Sequence, residues 1–223
     1  MGVMIEDHIA RLPLFHGLAA SALRRIASVC ELRRFHKGQT LFQEGRRAEV
    51  IWLIQWGWVY LVKRTQATPV TIYTVTPEDG LCGFSAVVGS GVYFASAVAA
   101  TETTAICIPK VEFTRLLTTH PPFAHTVLAV YHTRMCHLAE AISLAAAPVE
   151  RRLAYTLLRL KTSFGHTIPV THRELSRMAG TRWETSIRRL SAMRRKGWLT
   201  ASRGKVTLLI PEKLRALIRN GSA

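Results

Sequence analysis

The period of the apolar positions changes along the chain. Residues 5–30 carry apolar side chains at helical spacing, interrupted at Pro13 and Gly17. From about residue 31 to residue 108, short β-branched and aromatic runs recur at roughly ten-residue spacing, which predicts a small β-barrel or roll. The predicted strands are Thr40–Phe42, Val50–Ile54, Trp58–Val62, Val70–Val75, Ala95–Ala100 and Thr104–Ile108.

Helical spacing returns after residue 108. Residues 109–118 predict a short helix, and an apolar stripe from residue 123 to about 146 predicts a long one. That long helix is either a buried spine or one half of a dimer seam. Pro148 should break it and mark a domain boundary, because proline cannot continue a helix. Residues 149–164 predict a further amphipathic helix.

The segment Thr171–Gly197 has two short helical patterns joined by a tight turn at Ala179-Gly180. Each pattern opens with a threonine that has a glutamate three residues on, which predicts a capping box. The second pattern is rich in arginine, and the whole predicts a helix-turn-helix. Residues 198–201 and 206–210 then alternate like two strands, which predicts a β-hairpin wing with a basic tip. The two predicted boxes are Thr171 with Glu174 and Thr181 with Glu184.

Composition favours a chain of two domains with packed cores. It has 223 residues, of which 48% are hydrophobic. No stretch reaches the roughly 18 apolar residues of a membrane span, and the N-terminus lacks the pattern of a secretory signal. The four cysteines show no CxxC spacing, so we expect reduced thiols in a cytoplasmic protein rather than a disulfide frame or a zinc site.

Positive charge is concentrated at the C-terminal end. Residues 148–223 hold 17 of the chain's 30 Lys and Arg residues and 4 of its 14 Asp and Glu residues. Such a basic segment is typical of a surface that binds phosphates, although a solvated face or a membrane-surface patch would have the same composition. Because the same segment contains the predicted helix-turn-helix, we expect double-stranded DNA to be the partner and no membrane to be involved.

The order of these parts resembles the CRP/FNR family of transcription regulators over almost the whole chain. The resemblance is carried by 41–45, 51–61, 149–154 and, most specifically, 180–199, where Gly180, Thr181, Glu184, Thr185, Arg188 and Leu190 match the family pattern. It implies an α+β fold with a cyclic-nucleotide-binding-like β-roll (jelly roll) in residues 1–120. A long dimerisation helix in 121–147 and a C-terminal winged helix-turn-helix in 148–223 would follow.

The resemblance also assigns DNA-binding roles. In the family, the residues matching Glu184 and Arg188 read a G·C pair in a TGA-like core, and homodimers bind pseudo-palindromic operators. The residue types suit these roles, since a glutamate can accept a hydrogen bond from the cytosine N4 amino group and an arginine can donate two to guanine. A simple helical salt bridge is the alternative. RNA polymerase is a further expected partner. The candidate DNA-binding residues are Thr171, Arg173, Thr181, Arg182, Trp183, Glu184, Thr185, Arg188, Arg203 and Lys205.

Those residues divide into expected base and phosphate contacts. Thr181 and Thr185 are expected to contact phosphates, with helix capping as the alternative for Thr181, and so are Arg173, Arg203 and Lys205. Trp183 departs from the cAMP-responsive members, which have an arginine at that position, whereas the oxygen-sensing branch has an apolar residue. Trp183 packs either on a thymine methyl or on the protein scaffold, with Arg182 as an alternative base reader.

The effector is less well predicted. In cAMP-binding members a Gly-Glu binds the ribose and an Arg-Ser binds the phosphate. The corresponding positions here, within residues 82–86 and 95–97, have Phe84 for the glutamate and Ala95 for the arginine. Burying a phosphate without a cation is costly, so we expect no cAMP. An iron–sulfur cluster is also not expected, because the N-terminal part has only Cys30.

A haem that senses CO, NO or O2 remains a possible effector system by resemblance. Cys82 lies where the carbon-monoxide-sensing members have their iron-ligating cysteine, but Phe84 replaces a histidine of theirs. On the long helix His132, Cys136 and His137 cluster, and His137 lies near the family's effector-contacting position. The tentative pocket is therefore Cys82, Phe84 and His137. A redox or small organic effector, and no effector at all, are the alternatives, since buried cysteines are usually core residues.

Other function classes fit less well. We find no catalytic constellation, and the C-terminal segment is fully used by the winged helix, so we expect no enzyme. A nonspecific architectural DNA-binding protein is the remaining alternative to a regulator.

Overall fold

The computed structural model describes residues 2–219 apart from 67–68, 85–86, 88 and 90. The chain divides into two compact units, Met1–Cys136 and His137–Ala223, each with its own core. The division falls inside a long helix, so the predicted domain limits at residues 120 and 147 remain predictions. No helix among the described residues is both long enough and apolar enough to cross a membrane.

The first unit is a β-roll flanked by helices. Its strands form two four-stranded antiparallel sheets in the orders β1-β8-β3-β6 and β2-β7-β4-β5. The strands are β1 Glu31–Phe35, β2 Thr40–Phe42, β3 Val50–Trp56, β4 Val59–Lys63, β5 Val70–Val75, β6 Leu81–Cys82, β7 Ser96–Ala99 and β8 Thr103–Pro109. The helices are α1 Gly2–Ala10, a 3-10 turn Pro13–Phe15, α2 Ala20–Val29, α3 Lys110–Thr119 and α4 Pro121–Ser143, which continues into the second unit.

The main core of this unit lies between one face of the first sheet and the helices. Ile51 and Leu53 of β3 share it with Phe113 of α3 and Phe123 of α4. Alternate residues of β3 face the other way, so Trp52 lies on the opposite side of the sheet with Cys82 and Cys107 as its strand partners. Because both faces of the strand are covered, Ile51–Ile54 are all apolar.

All six predicted strands are present, with ends that differ by up to two residues. Two further strands of the roll were not predicted. The first, β1, has charged and largely exposed residues on an edge of its sheet, and β6 has only two residues. Neither has enough apolar alternation to be recognised from sequence.

The long helix begins and ends earlier than the sequence indicates. It starts at Pro121, two residues before the predicted start, because proline is well tolerated in the first turn of a helix. Its apolar positions lie on two sides. Phe123 and Val127 are buried, whereas Leu128, Met135 and Ile142 are exposed. The helix therefore has a buried face, as a spine would, and an exposed apolar face on the other side.

The second unit contains a helical core, to which the last helix contributes Leu214, and a three-stranded sheet in the order β10-β11-β9. Leu157, Leu175, Leu190 and Met193 form part of the buried interior. The wing is confirmed, with Ser202 and Lys205 paired at its turn, and β9 was not predicted. The elements are α5 Val149–Phe164, β9 Thr167–Ile168, α6 His172–Met178, α7 Trp183–Arg195, β10 Leu199–Ser202, β11 Lys205–Leu208 and α8 Pro211–Arg219.

Candidate nucleic-acid interface

The first helix of the helix-turn-helix, α6, begins with the predicted capping box. The Glu174 backbone N–H donates to Thr171 Oγ1 at 3.2 Å, and the Thr171 backbone N–H donates to Glu174 Oε2 at 2.8 Å. Each side chain thus satisfies a backbone donor of the other residue. The box fixes the start of α6 and holds Thr171 beside the wing.

The predicted second capping box, Thr181 with Glu184, is wrong. Gly180 adopts a positive φ of 57°, and the Thr181 backbone N–H donates to Ser176 O at 2.9 Å. Arg152 Nη1 also donates to Gly180 O at 2.8 Å. These contacts place Thr181 in the turn, so α7 starts one residue later, with Arg182 as its N-cap and no side-chain capping bond.

The predicted base readers lie on one exposed face at the start of α7. Glu184 and Arg188 are four residues apart, so they are neighbours on the helix surface. Both are exposed, and within the described part of the chain neither forms a hydrogen bond or an ion pair. The alternative of a helical salt bridge between them is therefore not what the structure contains. Their charged groups are free to meet a partner.

Trp183 is the first residue of α7 and is 45% exposed. The guanidinium of Arg173, from α6, lies 5.9 Å from its ring centroid. One face of the indole thus meets the scaffold, while a large apolar surface stays exposed beside Glu184. Arg182 and Thr185 flank it, the first exposed and the second half-buried.

A groove of about 440 Å³ separates the helix-turn-helix from the wing. Arg173, Arg194 and Arg203 line it, and no carboxylate does, so it suits an anion. His172 also lines it, and its Nε2 atom is buried without a hydrogen-bond partner. Burial, and then the charge of Arg194, lower the pKa of His172. The wing tip places Arg203 and Lys205 in solvent next to this groove.

Sequence reasoning missed His172 and Arg194 as parts of this site. Arg194 belongs to the second helix by sequence, but its closeness to His172 depends on how the two helices pack. The only local signal for His172 was its place directly after the capping threonine. The groove exists because the wing folds back beside both helices.

Unlike the predicted base readers, the residues predicted for an effector pocket are buried or half-buried. Cys82 lies on β6 with no exposed surface, and burial raises the pKa of its thiol to about 12. Phe84 is buried, with its ring 4.5 Å from that of Tyr131 in an edge-on contact. Ala95 is buried as well. His137 is half-buried on α4 and belongs to the second unit.

Ser85 and Ala86, from the segment compared with the cAMP site, lie outside the described residues. Among the described residues of one chain, no group of three His, Cys, Asp or Glu side chains could hold a metal ion. Cys82 and Phe84 are both buried, but only Phe84 belongs to the core between the first sheet and the helices.

Comparison with known families agrees with this architecture. The cyclic nucleotide-binding domain model matches residues 32–120, and the Crp-like helix-turn-helix domain model matches residues 151–217. The chain belongs to the CRP/FNR family of transcription regulators. Its sensor fold and its DNA-binding fold are thus both those of the family.

Individual CRP/FNR relatives match along most of the chain. The "Cyclic AMP receptor protein" of Thermus thermophilus is 28% identical over 196 residues, which cover 87% of this chain and 91% of the relative. A "CRP-like cAMP-activated global transcriptional regulator" of Mycobacterium tuberculosis is 22% identical over 219 residues, which cover 94% of this chain and 98% of the relative. The structure of FixK2 from Bradyrhizobium japonicum superposes with a TM-score of 0.74 at 17% identity, covering 85% of this chain and 97% of that one.

Proposed function

We propose that this chain is a homodimeric, sequence-specific DNA-binding regulator that recognises TGA-like half-sites through Glu184 and Arg188. The observation that carries the proposal is that both side chains are exposed and unpaired at the start of α7. A glutamate and an arginine one helical turn apart are the residues that pair with the cytosine and guanine edges of a G·C pair. Trp183, exposed beside them, would contact the methyl group of a thymine.

The phosphate contacts follow from the groove beside the recognition helix. Its three arginines face no carboxylate among the residues that line it. Arg203 and Lys205 at the wing tip would extend the contact along the backbone, together with Thr181 and Thr185 at the start of α7. These contacts would fix the protein on the duplex without reading sequence.

Dimerisation would use the exposed face of α4. Leu128, Met135 and Ile142 are 67%, 58% and 74% exposed and are spaced seven residues apart. His132 and Ala139 lie between them, so the face repeats in the 4-3 pattern of a coiled-coil seam. Exposed large apolar side chains in such a row are costly in water unless a partner covers them. A second copy of the same helix fits the row by symmetry.

The test is selection from random duplexes followed by footprinting of the selected site. We expect a pseudo-palindrome whose two protected half-sites lie about one helical turn apart, because each subunit presents one recognition helix. Uniform protection of arbitrary DNA would show the architectural alternative instead. Sedimentation of the free protein tests the dimer, with Met135→Lys as the variant that should yield monomers.

The proposed effector of the β-roll is not cAMP. Phe84 and Ala95 are both buried and apolar at the positions where cAMP-binding members place a carboxylate and a cation. A phosphate placed there would lose its hydration without gaining a charged partner. Calorimetry should therefore detect no cAMP binding at concentrations that saturate a cAMP-responsive member, and cAMP should not change operator affinity. Tight binding of cAMP would contradict the proposal.

Haem fits the residues poorly. Cys82 is fully buried on β6, so a haem iron could reach its sulfur only if the surrounding core opened, and burial raises the pKa of the free thiol. The haem hypothesis thus rests on the resemblance, and a Soret band after reconstitution would be its test. A redox or small organic effector and effector-independent regulation stay as alternatives. RNA polymerase is the protein partner that a regulator of this family would need.

A further inference from the structure

His132 and Cys136 form an exposed pair on α4 that neither the sensor nor the DNA-binding surface uses. They are one helical turn apart, and His132 Nε2 lies 3.6 Å from Cys136 Sγ. Both side chains are exposed. Within a single chain, an S–H···N hydrogen bond accounts for the contact.

The same separation suits two ligands of one tetrahedral metal ion. Zinc binds histidine nitrogen at about 2.0–2.1 Å and cysteine sulfur at about 2.3 Å, so the N···S edge of a tetrahedral site measures roughly 3.6 Å. The observed 3.6 Å matches that edge. Imidazole and thiolate are the ligands that a borderline-soft divalent ion prefers.

One chain supplies only two of the ligands that such an ion requires. Among the described residues, no third His, Cys, Asp or Glu completes the pair. His132, however, lies between Leu128 and Met135 on the exposed row of α4. In a parallel pair of helices, a residue at such a seam position faces its own counterpart across the two-fold axis. A second copy would thus bring another His132 and Cys136 to the same place.

We propose that two copies of the chain bind one zinc-class divalent cation through His132 and Cys136 of each. The four ligands would be two imidazole nitrogens and two thiolates, a closed set typical of structural zinc sites. The proposal rests on the dimer described under the proposed function. Its consequence is that the metal binds the paired helices and not the separated chains, so metal and dimerisation stabilise each other.

Cobalt is the probe, because tetrahedral Co2+ reports sulfur ligation by charge-transfer absorption and coordination number by the strength of its visible bands. The full-length protein, reduced and stripped of metal with a chelator, is titrated with Co2+ and then with Zn2+. We expect saturation at one Co2+ per two chains, a thiolate charge-transfer band, and its loss when Zn2+ displaces Co2+.

The variants His132→Gln and Cys136→Ser should each weaken Co2+ binding at least tenfold. The matched control is His125→Gln. His125 is also exposed and lies one heptad before His132 on the same face, but Ala129 stands where His132 has Cys136. The control should therefore keep the full band. All three positions are exposed, and circular dichroism checks that each variant is folded.

A missing charge-transfer band, a band that survives in Cys136→Ser, or saturation at one ion per chain would each overturn the shared site. Sedimentation with chelator and with Zn2+ separates this failure from failure of the dimer. A chain that is dimeric with chelator yet takes up no Co2+ removes the metal site and leaves the dimer standing. A chain that stays monomeric in both conditions removes both.

Discussion

The predicted functional side chains of the two units lie in opposite surroundings. In the second unit, Glu184 and Arg188 are exposed and unpaired in the described structure. In the first unit, Cys82, Phe84 and Ala95 are buried among apolar neighbours. An exposed residue that matches a motif is not explained by packing, whereas a buried apolar residue is. The residues proposed to read DNA are thus free to meet a partner, whereas Phe84 and Ala95, at the positions compared with the cAMP site, are part of a core.

The first prediction tests whether Phe84 is a core residue. Phe84→Ala should lower the free energy of unfolding by about 3–5 kcal/mol, as for other buried phenylalanines, because its contacts with Tyr131 and Phe113 are lost. Denaturant titration measures the change. The control Phe94→Ala removes an aromatic ring that is half exposed and should have a much smaller effect. If Phe84→Ala left the free energy of unfolding nearly unchanged, the Phe84 side chain would not be packed in the core.

The second prediction concerns Arg188, one of the exposed residues of the second unit. Arg188→Ala should weaken operator binding by about 1–3 kcal/mol and relax preference at one base pair, because its guanidinium would pair with a guanine there. The free energy of unfolding of the Arg188→Ala variant should change by no more than about 0.5 kcal/mol, as for most exposed positions. Binding to a panel of single-base operator variants is the measurement.

Arg189→Ala is the control for that experiment. Arg189 is exposed on the same helix but points to a different side of it, since successive helical residues turn by about 100°. It should weaken binding to all sequences alike, if at all. Equal weakening by Arg188→Ala on every operator variant would remove its base-reading role.

The third prediction compares the two threonines of the helix-turn-helix. Thr171→Ala should destabilise the protein by about 1 kcal/mol, within a usual range of about 0.5–2, because it removes a capping bond. Thr181→Ala should cost less than about 0.5 kcal/mol, because Thr181 caps nothing. Thermal unfolding of both variants provides the measurement. Equal losses would restore the second capping box and contradict the observed turn.

These threonines also show what sequence can and cannot predict. The box at Thr171 was predictable because both of its hydrogen bonds join residues three apart. The turn at Thr181 was not, because a contact from Arg152, 28 residues away, fixes it. Likewise, the six predicted strands carried apolar or β-branched runs of their own, whereas the two-residue β6 is defined by its pairing with β3.

The candidate sites follow the same rule. Glu184 and Arg188 could be placed on one face by helical spacing alone. The groove beside them could not, because Arg194 and Arg203 come together only when the wing packs beside the helices. The two faces of α4 were also hidden, since its apolar residues run almost all round the helix and only packing separates the buried ones from Leu128 and Met135.

The last and smallest effect concerns His172, a partly buried titratable group of the DNA-binding unit. Burial and the nearby Arg194 lower the pKa of His172, so the folded chain protonates it at a lower pH than the unfolded chain, whose histidine titrates near about 6.5. In the window below 6.5 and above the lowered pKa, the unfolded state therefore binds more protons, and stability must fall as pH falls. His172→Gln should reduce the slope of stability against pH in that window by less than one proton, and denaturant titrations at a series of pH values measure it. If the free energy of unfolding fell more steeply with falling pH in His172→Gln than in the parent chain, the fold would instead hold His172 in its charged form.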